Sequence, residues 1–131
     1  MSRENVEIVR ATFGTWNADD MDGFRELFDP DIAMRSAEGW PEPGPWFGRE
    51  AVMRQFEQQR ATFDADALEL ISDFLTVGDR VAVRLIWRGA GYGPEANLEL
   101  TGLYTVRNGR ILSLDFFWDH AEALKALGLS E

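Results

Sequence analysis

The chain predicts an α+β domain in which helices gather near the N-terminus and a curved antiparallel sheet follows. Two observations carry this. Three stretches in the first half repeat apolar residues at three- and four-residue steps, the period of a helix face. In the second half, strand-like apolar runs are separated by Gly78-Asp79 and Asn108-Gly109, residue pairs suited to tight hairpin turns. Consecutive antiparallel strands after segregated helices make the α+β class, with no repeat or linker to mark a second domain over 1–131.

In order, 4–17 is a helix with Val6, Val9, Phe13 and Trp16 on one stripe. Asp19 or Asp20 caps a second helix with Phe24, Leu27 and Phe28 inward, and Asp29-Pro30 ends it. A short strand covers 32–36. The segment 38–47 holds three of the five prolines and is a loop whose Trp40 and Trp46 pack over the core or over a ligand. The third helix spans 48–63, with Val52, Met53, Phe56 and Phe63 inward. Strands follow at 67–77 and 80–88, then a glycine-rich connection at 89–94.

Residues 97–131 organise the rest. Two strands flank Asn108-Gly109, and a short helix follows with Asp119 and Glu122 at its start, Ala121, Leu124 and Leu127 inward and Gly128 as its stop. A two-residue loop sets Val106 against Ile111 and makes both faces of the hairpin largely apolar, so both need cover. That tight register turns Thr101, Leu103 and Thr105 toward the interior, whereas a bulge would turn Tyr104 inward.

Net charge is −10, from 23 acidic and 13 basic residues, which argues against nucleic acid or an anionic membrane as partner. With no cysteine there is no thiolate or disulfide chemistry. The first ten residues lack the apolar region of a signal peptide, and no run approaches the roughly 18 apolar residues of a membrane span. A cytoplasmic protein is the expectation. No spacing of His or carboxylates reads as a metal site, and the glycines of 89–94 lack the strand-turn-helix context of a nucleotide loop. No cofactor is expected.

The order of elements, with NADDMDGFRELFDPD, FGREAV and VRNGRILSLDFFWD, resembles the nuclear transport factor 2-like superfamily, and within it the SnoaL-like polyketide cyclase and ketosteroid isomerase branch. The resemblance implies a cone: a curved antiparallel sheet wrapped by three N-terminal helices plus a short C-terminal helix, with an apolar pocket for a small apolar molecule and an outer sheet face that makes a homodimer. It implies pocket positions at Trp16, Met34, Phe56, Val83, Leu85, Trp87, Leu114, Phe116 and Trp118. It also places the isomerase's helix tyrosine on Thr12, its catalytic aspartate on Ser36 and its protonated aspartate near Gly102 or Leu103. None of the three keeps its residue type, and a serine with no adjacent base cannot shuttle a proton between carbons.

Four other residues are catalytic candidates: Tyr104, Asp115, His120 and Arg84. Asp115 has the opposite parity to Phe116 and Trp118, which puts it on the outer face, paired with Arg84 or Arg88. A register shifted by one would bring Arg84, Asp115 and Tyr104 inward together, resembling the Arg–carboxylate sites of the epoxide hydrolase branch. His120 is either a base at the pocket mouth, tuned by Asp119, or a surface residue at a helix start. The homodimer expectation rests on Ile86, Phe117 and Tyr104 sharing the outward parity. Two functions follow: an isomerase-, cyclase- or epoxide-hydrolase-type enzyme using acid–base chemistry, or a non-catalytic ligand-binding or dimerisation module.

Overall fold

The computed structural model describes residues 2–37, 44–63, 67–88 and 98–128. Helices α1 (Ser2–Asn17) and α2 (Met21–Glu26) lead into β1 (Phe28–Arg35), a two-residue β2 (Trp46–Phe47) and α3 (Arg49–Phe63). Then come β3 (Ala67–Leu70), β4 (Leu75–Val77), β5 (Arg80–Arg88), β6 (Leu98–Arg107), β7 (Arg110–Phe117) and α4 (His120–Leu127). The strands form one curved, unclosed sheet in the order β2-β1-β7-β6-β5-β3, with β4 also on β5. Every pairing is antiparallel except β1 with β7.

The helical stripes fall inside as their spacing requires: Val9, Phe13, Trp16, Phe24, Val52, Met53 and Phe56 are all buried. The Asp20 carboxylate accepts the Gly23 N–H at 3.0 Å and starts α2. That helix stops at Glu26, earlier than the Asp29-Pro30 signal suggests, and Phe28 is already strand. Phe28 stays buried because β1 turns it to the same interior. Pro30 sits where the β1–β7 register shifts between Phe28 and Ala33, a place where a missing N–H breaks no ladder bond.

The expected strand over 67–77 is two strands, both on β5. Between them the Ile71 N–H reaches the Arg84 carbonyl at 3.0 Å, and the Ser72 hydroxyl accepts the Arg84 N–H at 3.0 Å. Side-chain capture of a ladder donor is how serine interrupts a strand.

At the β6–β7 turn Asn108 and Gly109 have φ of 55° and 79°, the left-handed pair of a type I′ turn. Val106 faces Ile111, but Thr105 then faces Ser113, so Leu112 is an extra residue on β7. Beyond this bulge Tyr104 lies opposite Leu114, and Gly102 opposite Phe116. The bulged register is therefore the observed one. Tyr104 is inward, on the face of Val81, Val83, Leu85 and Trp87, while Leu103 is outward.

The outer face carries α4. Leu127 packs with Ala82 and Leu103, and Phe117, Leu75 and Leu124 flank them. The Asp119 carboxylate accepts the Ala121 N–H at 2.9 Å, Gly128 ends the helix at φ 112°, and Arg80 Nη1 donates to the Ala126 carbonyl at 2.6 Å. Of the three residues that suggested pairing two copies through this face, Tyr104 is inward and Phe117 packs in the α4 cluster. Only Ile86 stays on the face outside that cluster. Among the described residues no helix is long and apolar enough to cross a membrane. Trp40, the rest of 38–43, and 89–94 lie outside the described residues, as do the side chains of Phe63 and Arg88.

Candidate functional site

The interior between the sheet and α1, α2 and α3 is dominated by rings. Trp16 has Phe24 at 5.4 Å, Phe56 at 5.8 Å and Trp87 at 6.0 Å between centroids. Phe28 meets Phe24 edge-on at 4.9 Å and stacks on Phe56 at 6.0 Å. These separations fall in the favourable range for aromatic pairs. The rings take up most of the space a cone would otherwise leave empty.

Two small hollows remain among the described residues. The first, about 30 Å³, is walled by Trp16, Phe56, Leu85, Trp87, Leu114 and Phe116, with Phe24, Phe28 and Leu68 completing it and Thr12 and Tyr104 as its polar members. That is room for one or two waters. The second, about 20 Å³, lies toward the ends of β1 and β7 between Met34, Ser36, Ala37 and Leu100. Phe56, Trp87 and Phe116 border both.

Tyr104 is 3% exposed, and its hydroxyl shares a hydrogen bond with Thr12. Burial pushes the phenol well above its ordinary pKa. The group is a neutral hydroxyl at any physiological pH. Thr12 Oγ1 also donates to the Val9 carbonyl at 2.6 Å. With that proton committed, Thr12 accepts from Tyr104, and the Tyr104 oxygen keeps lone pairs for a further donor. Gly102 makes room for the arrangement: a Cβ there would stand 2.8 Å from Tyr104 Cε1, so the ring leans across the glycine.

The remaining pocket candidates divide. Met34 borders the second hollow, whereas Val83 is fully buried yet borders neither. Trp118 does not join the wall. It is 46% exposed and faces a surface groove with Arg35, Asp115 and Glu122, because β7 ends at Phe117 and the inward–outward alternation ends with it.

The catalytic candidates are not brought together. Asp115 lies on the outer face, with Leu103 and Arg35 as its register partners. Desolvation raises its pKa, while Arg35 and Arg80 pull it down. Arg84 does not pair with Asp115; it forms an ion pair with Glu99. The bulge turns Tyr104 inward alone, leaving Arg84 and Asp115 outside, so the Arg–carboxylate–Tyr grouping is absent. His120 Nδ1 is 2.9 Å from Thr101 Oγ1, tying the start of α4 to β6 on the face opposite the hollows. Among the described residues neither hollow has a carboxylate or histidine in its wall, and no cluster of His, Asp and Glu is placed to hold a metal.

Of the positions implied by resemblance, Thr12 is at the first hollow, Ser36 at the second, Gly102 beneath the Tyr104 ring and Leu103 outside. Phe24, Phe28 and Leu68 were not singled out for the wall, although the helical stripe already puts Phe24 and Phe28 inside.

The sequence profile of the SnoaL-like domain matches residues 9–114. No curated protein matches the chain. Among solved structures, it is similar to a proposed polyketide cyclase from Sinorhizobium meliloti, with 24% identity over 84% of this chain and 93% of the other and a TM-score of 0.71. It is similar to TerC, co-crystallised with polyporic acid, with 22% identity over 95% and 97% of the two chains and a TM-score of 0.73. It is also similar to a Catenulispora acidiphila protein of ketosteroid isomerase-like fold in complex with trimethylamine, with 19% identity over 94% and 93% and a TM-score of 0.69.

Proposed function

The chain belongs to the SnoaL-like domain family, and on that premise we propose that it binds a small, flat, mostly apolar molecule bearing a hydroxyl group. The ring wall of Trp16, Phe56 and Trp87 supplies the apolar contact, and the Tyr104 oxygen accepts from the ligand's O–H. The observation carrying this is the buried Tyr104–Thr12 pair as the polar members of an otherwise apolar hollow. Apolar enclosure with few, well-placed polar groups is the usual build of a small-molecule site. Two neighbours of the same fold support the reading: TerC was co-crystallised with polyporic acid, and the C. acidiphila protein is in complex with trimethylamine.

Proton abstraction is not part of the proposal. Neither hollow has a base among the described residues, and Tyr104, with its raised pKa, keeps its proton. The ligand is held and leaves unchanged.

Calorimetric titration with 2-naphthol and with naphthalene tests this. The hydroxylated probe binds about tenfold more tightly, the scale of one satisfied buried hydrogen bond, and Tyr104→Phe removes that difference. No binding of 2-naphthol, or an undiminished difference in Tyr104→Phe, overturns the proposal.

A further inference from the structure

Neither hollow as it stands admits a ring, so the wall must move to admit a ligand. Three residues separate the hollows, and two of them are locked. Phe56 and Trp87 are each 7% exposed and held in ring contacts, Phe56 with Trp16, Phe24 and Phe28, and Trp87 with Trp16. Phe116 is half-buried and makes no ring contact among the described residues. Its cross-strand neighbour on β6 is Gly102, over which the Tyr104 ring leans. Phe116 also borders the surface groove beside Arg35 and Trp118, so it stands between both hollows and the outside.

The second hollow has its own polar member. Ser36 is 9% exposed and borders both that hollow and the surface groove. Its hydroxyl can both donate and accept, so beside the hollow it offers a polar end to a ligand oxygen. From Tyr104 across Leu114 to Met34 is two strand spacings, and Ser36 lies two residues further along β1. The two Cα atoms are therefore roughly 12 Å apart, a span that two linked aromatic rings cover.

Resting on the binding function proposed above, we infer that Phe116 is a movable partition and that the ligand is an elongated aromatic with a hydroxyl at each end. With the Phe116 ring swung toward the groove, the hollows join into one slot. One ligand oxygen meets Tyr104, the other meets Ser36, and the rings lie against Trp87 and Phe56. Phe116 thus sets the length of ligand the protein accepts.

Three probes separate this from the simpler reading: 2-naphthol, 4-hydroxybiphenyl and 4,4′-dihydroxybiphenyl, each titrated calorimetrically. The wild type binds the doubly hydroxylated biphenyl about tenfold more tightly than the singly hydroxylated one, and Ser36→Ala erases that gain. Phe116→Ala, with Phe116→Leu as a milder variant that keeps more of the wall, strengthens both biphenyls at least tenfold more than it strengthens 2-naphthol. If 2-naphthol binds but the second hydroxyl gives no gain, or Ser36→Ala leaves the gain intact, the two-ended slot is wrong and the binding function stands. If both Phe116 variants leave the biphenyls unchanged, the partition is wrong. If 2-naphthol does not bind the wild type, the binding function falls and this inference with it.

Discussion

Tyr104 owes its position to Leu112. One unpaired residue near the turn reverses the parity of β6 against β7 and moves a phenol from the outer face to the interior. Its hydroxyl then has a raised pKa because the ionised form would be buried. The folded state holds the Tyr104 proton more tightly than the unfolded chain does. Stability from this group is therefore complete below the ordinary tyrosine pKa of about 10 and is lost as pH climbs above it. Urea midpoints between pH 8 and pH 11.5 should fall more steeply for the wild type than for Tyr104→Phe. Parallel curves would contradict the burial. Legibility at this scale was partial. The sequence left both registers of the hairpin open, because Ile111 and Leu112 are equally apolar and either fills a core position. The three-residue interval between Ile111 and Leu114, both buried, was the available sign that a strand period of two had been broken.

Among the elements, α4 does most to decide which faces are open. Ala123 and Leu127 are buried, and the hydroxyl–imidazole contact from Thr101 to His120 and the Arg80 bond to the Ala126 carbonyl pin the helix at its two ends. Leu127→Asp should lower stability by about 2–4 kcal/mol in urea unfolding, from lost burial and an unpaired charge. It should also raise binding of an apolar dye as Leu103 and Ala82 are uncovered. A stable variant with unchanged dye binding would show that α4 is dispensable as a cover. The helix itself was readable from Asp119 and Gly128, but of the expected inward residues Ala121 is exposed, and Ala123 is buried in its place beside Leu127. Which side of the sheet it would cover was not readable, since both faces of the last hairpin are apolar. The early end of α2 escaped for a similar reason: Leu27 and Phe28 suit the inner stripe of a helix as well as the inner side of a strand.

For the whole molecule, the ring cluster and the proposed ligand site are one object. Trp16→Ala, at the centre of the cluster, should cost about 3–5 kcal/mol and weaken 2-naphthol binding in the same variant. Loss of stability with binding retained would place the site elsewhere. The α+β class and the order of helices and hairpins were legible because periodicity and turn pairs are local signals. The interior was legible only as a list of inward residues. How much room their side chains leave depends on ring angles that no spacing encodes, so the sequence suggested a pocket where the described residues leave two small hollows.

The parallel contact of β1 with β7 joins a strand beginning at residue 28 to one ending at residue 117. During synthesis β1 must wait for about eighty further residues before its main partner emerges, and the backbone donors and acceptors on that edge stay open meanwhile. Such distant pairing slows folding. The nascent chain is therefore most prone to associate with its neighbours just before the last hairpin leaves the ribosome.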